Sequence, residues 1–174
     1  MSESECDFLL EKVIPNDMTK AKLMYRLSSK SGFSASKFHQ KVKNLNNTIF
    51  VCESDSGQRF GGINFLPWGP DSKGKETDKN MIFSLSKASV HPLRMNESGK
   101  YKNTRISSQA ICYVEGKGPV MGEIDLVIGD KCHKEESCNS DLDTYELLGD
   151  EDPETYLAGS EKFKLKSFFI FKLE

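Results

Sequence analysis

The stretch Thr48–Trp68, TIFVCESDSGQRFGGINFLPW, leaves this chain its narrowest set of conformations. Thr48, Ile49, Phe50, Val51 and Cys52 are β-branched, aromatic or small apolar residues, Asp55-Ser56-Gly57 supplies turn chemistry, and Arg59 to Leu66 resumes a strand-like pattern. This order predicts a β-hairpin. Alternation sends Ile49 and Val51 to one side and Phe50 and Cys52 to the other, and a strand with no polar face belongs in the middle of a sheet. Gly61-Gly62 give the second strand nothing to pack, so a close backbone approach covered by a neighbouring aromatic is expected there.

Around this hairpin the chain reads as follows. Cys6 to Val13 is a short helix or lead-in that docks Phe8, Leu9 and Leu10, and Pro15-Asn16-Asp17 breaks it. Asp17 is placed to cap a helix through about Leu27, with Leu23, Met24 and Leu27 on one stripe. Ser29 to Gly32 ends that helix, and Ser34 caps a second one over Ala35 to Lys43, with Phe38 and Val42 inward. Gly69 to Asn80 and Met95 to Thr104 read as loops. Met81 to Leu85 begins another buried strand, which Ala88 to Leu93 would extend, with Pro92 confining that extension to an edge or a strand end, and Ala110 to Val114 reads as a short strand. After the turn signal Gly116-Lys117-Gly118-Pro119, Val120 to Ile128 is one bent strand or two. Lys131 to Pro153 reads as a long ordered loop pinned by Leu142, Tyr145, Leu147 and Leu148.

Lys162 to Leu173 alternates as a strand covered on both sides, with Leu165, Phe169, Phe171 and Leu173 on one face and Phe168 and Ile170 on the other. Two helices followed by about seven strands imply an α+β chain with a mostly antiparallel pair of sheets and helices at the edge. We divide it into a lead-in over 1–17 and one domain over 18–174, a length that sustains a core without staples.

The net charge of −2 offers no general attraction for nucleic acid. The charge is uneven, however. Glu123 to Glu161 holds thirteen Asp or Glu against two Lys, a local −11 that leaves +9 elsewhere. Five cysteines, an odd number without framework spacing, point to reduced thiols. An acidic start, Met1-Ser2-Glu3-Ser4-Glu5, does not resemble a secretory or mitochondrial leader, and no apolar run approaches a bilayer-spanning length. A cytoplasmic protein, with access to the cytosolic face of organelles, is the expectation.

Candidate chemistry is sparse. Glu123 and Asp125 would share one face of a strand, with Asp130 close in sequence, a pattern that serves acid/base work, a hard cation, or simply solvent and a basic partner. Cys132-His133 with Cys138, and Cys112 within possible reach, offer soft ligands, but the spacing lacks the paired knuckles of a zinc site. Glu135, Glu136 and Asp141 would keep those thiols protonated and unreactive. Gly116, Gly118 and Gly122 lack the Lys-Ser/Thr of a phosphate loop. His39 is a surface or boundary histidine without an evident acid/base partner. No cofactor, metal or catalytic centre is expected.

The succession LMYRLSSKSGFSASKFHQKV, FVCESDSGQRFGGINFLPW, MIFSLS, GPVMGEIDLVIGD, ESCNSDLDTYELL and YLAGSEKFKLKSFFIFKLE resembles a TLDc domain over about Met18 to Glu174. That resemblance implies a two-sheet β-sandwich flanked by short helices and no enzymatic activity. It also implies protection against oxidative stress and binding to the V-type proton ATPase at its peripheral stalk and catalytic head. Carried onto this chain, it points to Gly61 and Gly62, to Gly118 and Gly122 with Glu123 and Asp125, to Ser137, Asn139 and Ser140 with Tyr145, and to Gly159, most of them structural. The rival expectations are an adaptor on a cytoskeletal or organellar scaffold, and a small antioxidant or hydrolytic enzyme using Cys132, Cys138 or the Glu123/Asp125 pair.

Overall fold

The computed structural model describes residues 1–27, 32–69, 77–94, 110–147 and 149–174. The expected loops over Met95 to Thr104 and most of Gly69 to Asn80, the expected helix end at Ser29 to Ser31, and Leu148 lie outside the described residues. Two antiparallel sheets stack as a β-sandwich with few, short helices, the α+β architecture expected.

The hairpin is where its residues place it. β2 (Thr48–Ser54) pairs with β3 (Arg59–Asn64) in unbroken register from Thr48↔Asn64 to Glu53↔Arg59. The turn closes through the Gly57 N–H donating to the Ser54 carbonyl at 3.0 Å, with Gly57 at φ 89°, a backbone state that glycine adopts freely. Adding β1 (Ala21–Arg26), β4 (Met81–Ser84), β5 (Ser89–Pro92) and β11 (Leu165–Leu173) gives a sheet of order β1-β11-β2-β3-β4-β5. The hairpin is thus central, and Pro92 ends an edge strand. The second sheet runs β10-β9-β8-β7-β6, from β10 (Lys162–Phe163), β9 (Cys138–Ser140), β8 (Leu126–Gly129), β7 (Lys117–Met121) and β6 (Ile111–Cys112).

Between the sheets lies the main core, built on Phe33, Phe38, Phe50, Phe60, Met121, Ile128, Phe163 and Phe168. Helix α2 (Ala35–Val42) closes one end of it, with the Ser34 hydroxyl accepting the Lys37 N–H and Phe38 and Val42 fully buried. The outer face of the six-stranded sheet holds a smaller cluster around Ile49, Val51, Ile63 and Phe83. It is covered by α1 (Glu3–Phe8) and the π-helical turn Leu9–Val13 that continues it, through Leu9 and Val13. Burying both faces of β2 and β3 requires exactly such uninterrupted apolar runs as the hairpin carries.

Several expectations are corrected. The segment predicted as a helix capped by Asp17 is strand β1, and Asp17 sits in a turn closed by the Met18 N–H on the Pro15 carbonyl. Tertiary pairing overrides the helical spacing. β1 runs antiparallel to β11, a bulge between Leu23 and Tyr25 absorbs Met24, and the Tyr25 ring enters the aromatic core 5.7 Å from Phe33 and 6.3 Å from Phe168. In β11, a second bulge between Leu165 and Ser167 turns Leu165 inward with Phe168 and Ile170, not outward with Phe169 and Phe171. Lys131 to Pro153 is a pinned segment as expected, but it also supplies β9. Lys117 to Pro119, expected as turn, are in β7, with Pro119 inside an interrupted register where no ladder N–H is required. Among the described residues there are eleven strands, more than the seven or so expected, because the short members of the second sheet lack an alternating run long enough to signal them.

Candidate functional site

Gly61 and Gly62 sit in β3 on opposite faces. A Cβ on Gly62 would strike Met121 Sδ from the second sheet and lie 3.0 Å from the Phe50 ring, while a Cβ on Gly61 would strike the Phe50 carbonyl and lie 2.8 Å from Phe83 Cζ. The aromatic cover expected over the glycines is therefore present, and Met121 is an addition that only tertiary packing reveals. Gly118 gives way to the Phe33 ring, whose Cζ would be 2.5 Å from an added Cβ. Gly62 and Gly118 are close-approach points between the sheets, and Gly61 is one on the outer face of the six-stranded sheet.

Gly122, Asp125, Ser140 and Tyr145 come together in a different place. Gly122 to Asp125 form the turn between β7 and β8, with Gly122 at φ 68° against the Asp125 carboxyl. Glu123 and Asp125 therefore do not share a strand face. Glu123 is exposed, Asp125 is fully buried, and Asp130 is elsewhere, its Oδ1 accepting the Ala35 N–H at 2.9 Å at the start of α2. The Gly122 backbone freedom lets the turn reverse so tightly that the carboxylates diverge.

Asp125 Oδ1 accepts the N–H groups of Asp143 at 2.9 Å and Tyr145 at 2.7 Å, so one carboxyl oxygen holds the 141–147 segment onto the second sheet. Tyr145, fully buried, donates its hydroxyl to the Ala110 carbonyl at 2.7 Å and joins β6 to the same anchor. Ser140 pairs with Leu126 in the ladder. Asp125 Oδ2 and Ser140 Oγ have no hydrogen-bond partner among the described residues. Burial pushes the Asp125 carboxyl up to about 6, against the opposing pull of the Tyr145 amide.

A carboxyl whose pKa is raised on folding binds its proton more tightly in the native state. Its contribution to stability is therefore largest below about pH 4 and is lost as the pH rises through about 6. Asp125→Asn removes that titration. The difference in unfolding free energy, native chain minus variant, should fall by roughly 2–3 kcal/mol from about pH 4 to pH 7. Denaturant unfolding at a series of pH values measures it, and parallel profiles for the two chains would dismiss the account.

The remaining positions are dispersed. Ser137 donates its hydroxyl to the Asp130 carbonyl at 2.7 Å, Asn139 lies half-buried in β9 between Val127 and Lys162, and Gly159 takes φ 86° beside Ser56. His39 is at the boundary, its Nε2 2.7 Å from the Lys117 carbonyl and its ring 4.6 Å from Tyr113.

The cysteines form a cluster that the sequence only half discloses. Cys132 and Cys138 are buried with their thiols hydrogen-bonded to each other, and Cys52 joins them from β2, donating to the Phe60 carbonyl at 3.3 Å. The inward alternation of Phe50 and Cys52 was the signal for that third member. Cys112, half-buried in β6, is not among them, and the His133 Nδ1 accepts the Phe33 N–H at 3.2 Å. The Cys132 thiol is pushed far up, as expected, but by its hydrogen bond to Cys138 and by burial, not by the acidic residues around it. Burial likewise raises Cys52. Among the described residues no group of three His, Cys, Asp or Glu is arranged to hold a metal ion, and no helix is long and apolar enough to cross a membrane.

The acidic sector is presented outward. Of its thirteen carboxylates only Asp125, Asp130, Asp141 and Glu146 are wholly or partly buried. Leu142, Tyr145 and Leu157 anchor the segment in the core, the Leu93–Tyr145 bridge ties it to β5, and Lys87–Glu151 at 3.0 Å and Arg94–Asp143 at 3.4 Å hold its flanks. The result is a fixed acidic surface at the β5 side of the sandwich.

Compared with protein families, the chain matches the model of the TLDc domain over residues 1–174. None of the curated proteins matches it.

Proposed function

The chain belongs to the TLDc domain family, and from that premise we propose that it is a non-enzymatic interaction module that docks on a large cytoplasmic protein assembly, the V-type proton ATPase, at its peripheral stalk and catalytic head. The observation that carries the reading is the fixed acidic surface over 141–154. Exposed carboxylates on an anchored segment orient an approaching basic surface without the ordering cost a mobile acidic tail would incur. Membership of the family supports a part in oxidative-stress protection, which the proposal assigns to the docked assembly. The buried, proton-holding thiols at Cys52, Cys132 and Cys138 are poorly suited to act as nucleophiles.

The test is capture of the tagged chain from extract at low and high salt, beside the variant Asp150→Lys/Glu151→Lys/Asp152→Lys. Peripheral-stalk and head subunits should be recovered at low salt and released at high salt, and the variant should recover about tenfold less. Salt-independent recovery, unchanged in the variant, would remove the acidic surface from the interface. Recovery of another assembly would replace the partner.

A further inference from the structure

The six-stranded sheet has two edges of opposite character. At β5 the edge is covered by the chain itself: the Glu146 N–H donates to the Pro92 carbonyl at 2.8 Å, His91 Nδ1 lies 2.7 Å from the Glu146 carbonyl, and the Tyr156 hydroxyl donates to Ser89 Oγ at 3.0 Å. At β1, no strand lies beyond it among the described residues. Lys20 exchanges both backbone hydrogen bonds with Glu174, each at 2.9 Å, so the antiparallel ladder directs the N–H and C=O of Ala21 and Leu23 away from β11. These are open ladder positions.

The side chains around that edge have a consistent chemistry. Lys20, Lys22 and Arg26 are exposed, and residues 18–27 contain no acid. Leu23 is 46% exposed and shares the outer face with its ladder partner Phe171, which stacks on Phe169 at a centroid distance of 6.5 Å. Beside them, Met1, Val51, Glu53, Arg59 and Ser167 line an open groove of about 350 Å³. Cations and a bulge on an edge strand are also the devices that keep like strands apart, and two β1 strands would set three cations against three. An acidic strand meets the opposite condition.

We propose that β1 is a docking edge for an extended segment of a partner protein that alternates apolar and acidic residues and adds to the sheet as a seventh strand. Its backbone pairs with Ala21 and Leu23, its carboxylates face Lys20 and Lys22, and its apolar side chains extend the Leu23–Phe171 face, on which the bulge also places Arg26 opposite Phe169. This goes beyond the acidic surface at the other edge and does not depend on which assembly that surface meets.

The probe is a synthetic octapeptide of alternating valine and glutamate, with a valine–lysine octapeptide as control, added to the isotopically labelled whole chain. Amide exchange at Ala21 and Leu23 should slow by about tenfold or more with the glutamate peptide, while Lys22, already bonded to β11, changes little. Lys20→Glu/Lys22→Glu should weaken the peptide about tenfold. Ala21→Pro removes only an outward N–H and should abolish protection with the fold intact. Equal binding of both peptides, or no protection at Ala21 and Leu23 in the folded chain, overturns the proposal. So does protection without peptide that grows with protein concentration, which would assign the edge to a second copy.

Discussion

Removing the last ten residues, Leu165–Glu174, and β11 with them, is expected to abolish cooperative folding, not to trim the domain. β11 lies between β1 and β2, and its loss strips β1 of its neighbour and opens an edge in the centre of the sheet. It also removes Leu165, Phe168, Ile170 and Leu173, each 2% exposed or less. Phe168 alone contacts the rings of Phe33 at 5.2 Å, Phe50 at 5.9 Å, Phe38 at 6.2 Å and Tyr25 at 6.3 Å. Each such side chain contributes roughly 1.5–3 kcal/mol, against a total stability of about 5–15 kcal/mol for a domain. Calorimetry and circular dichroism on the shortened chain should find no unfolding transition. A sigmoidal transition with the denaturant dependence of the whole chain would refute the central role given to this strand.

The second large effect is a contrast between adjacent glycines. A methyl group on Gly61 meets the Phe50 carbonyl, part of the paired strand's backbone, whereas one on Gly62 meets the end of the Met121 side chain. Met121 has flexible torsions with which to retreat, and a ladder carbonyl has none that leave the hydrogen bonds intact. Gly61→Ala should therefore cost roughly 3 kcal/mol or more and Gly62→Ala roughly 1–2 kcal/mol. Thermal melts of the two variants decide the matter. Equal midpoints would mean that the strand pair yields as easily as a methionine.

What the sequence disclosed follows the range of the forces involved. The hairpin, α2 with its Ser34 cap and the alternation of β11 from Phe168 onward are written in neighbouring residues, so they are legible there. β1 is not, because its strand state depends on Leu173 pairing with Ala21 from the far end of the chain, while its local spacing suits a helix equally well. Leu142 and Tyr145 were identifiable as anchors from their isolation in a polar stretch. The role of Asp125 was hidden because its partners are the amides of Asp143 and Tyr145, and no side-chain pattern records a backbone amide's direction. The divergence of Glu123 from Asp125 turns on the positive φ of Gly122, a property of the turn that strand alternation ignores.

The position of β11 also bears on how a cell makes this protein. A ribosome delivers β1 and β2 long before β11, the strand that joins them. At about 5–20 residues per second, β2 waits roughly 5–20 s for its neighbour. During that interval the hairpin's apolar faces and the edge of β2 are exposed, so the nascent chain is a client for chaperones that bind extended hydrophobic segments. Completion of the sheet waits for β11, and variants that slow it lose yield before they lose stability.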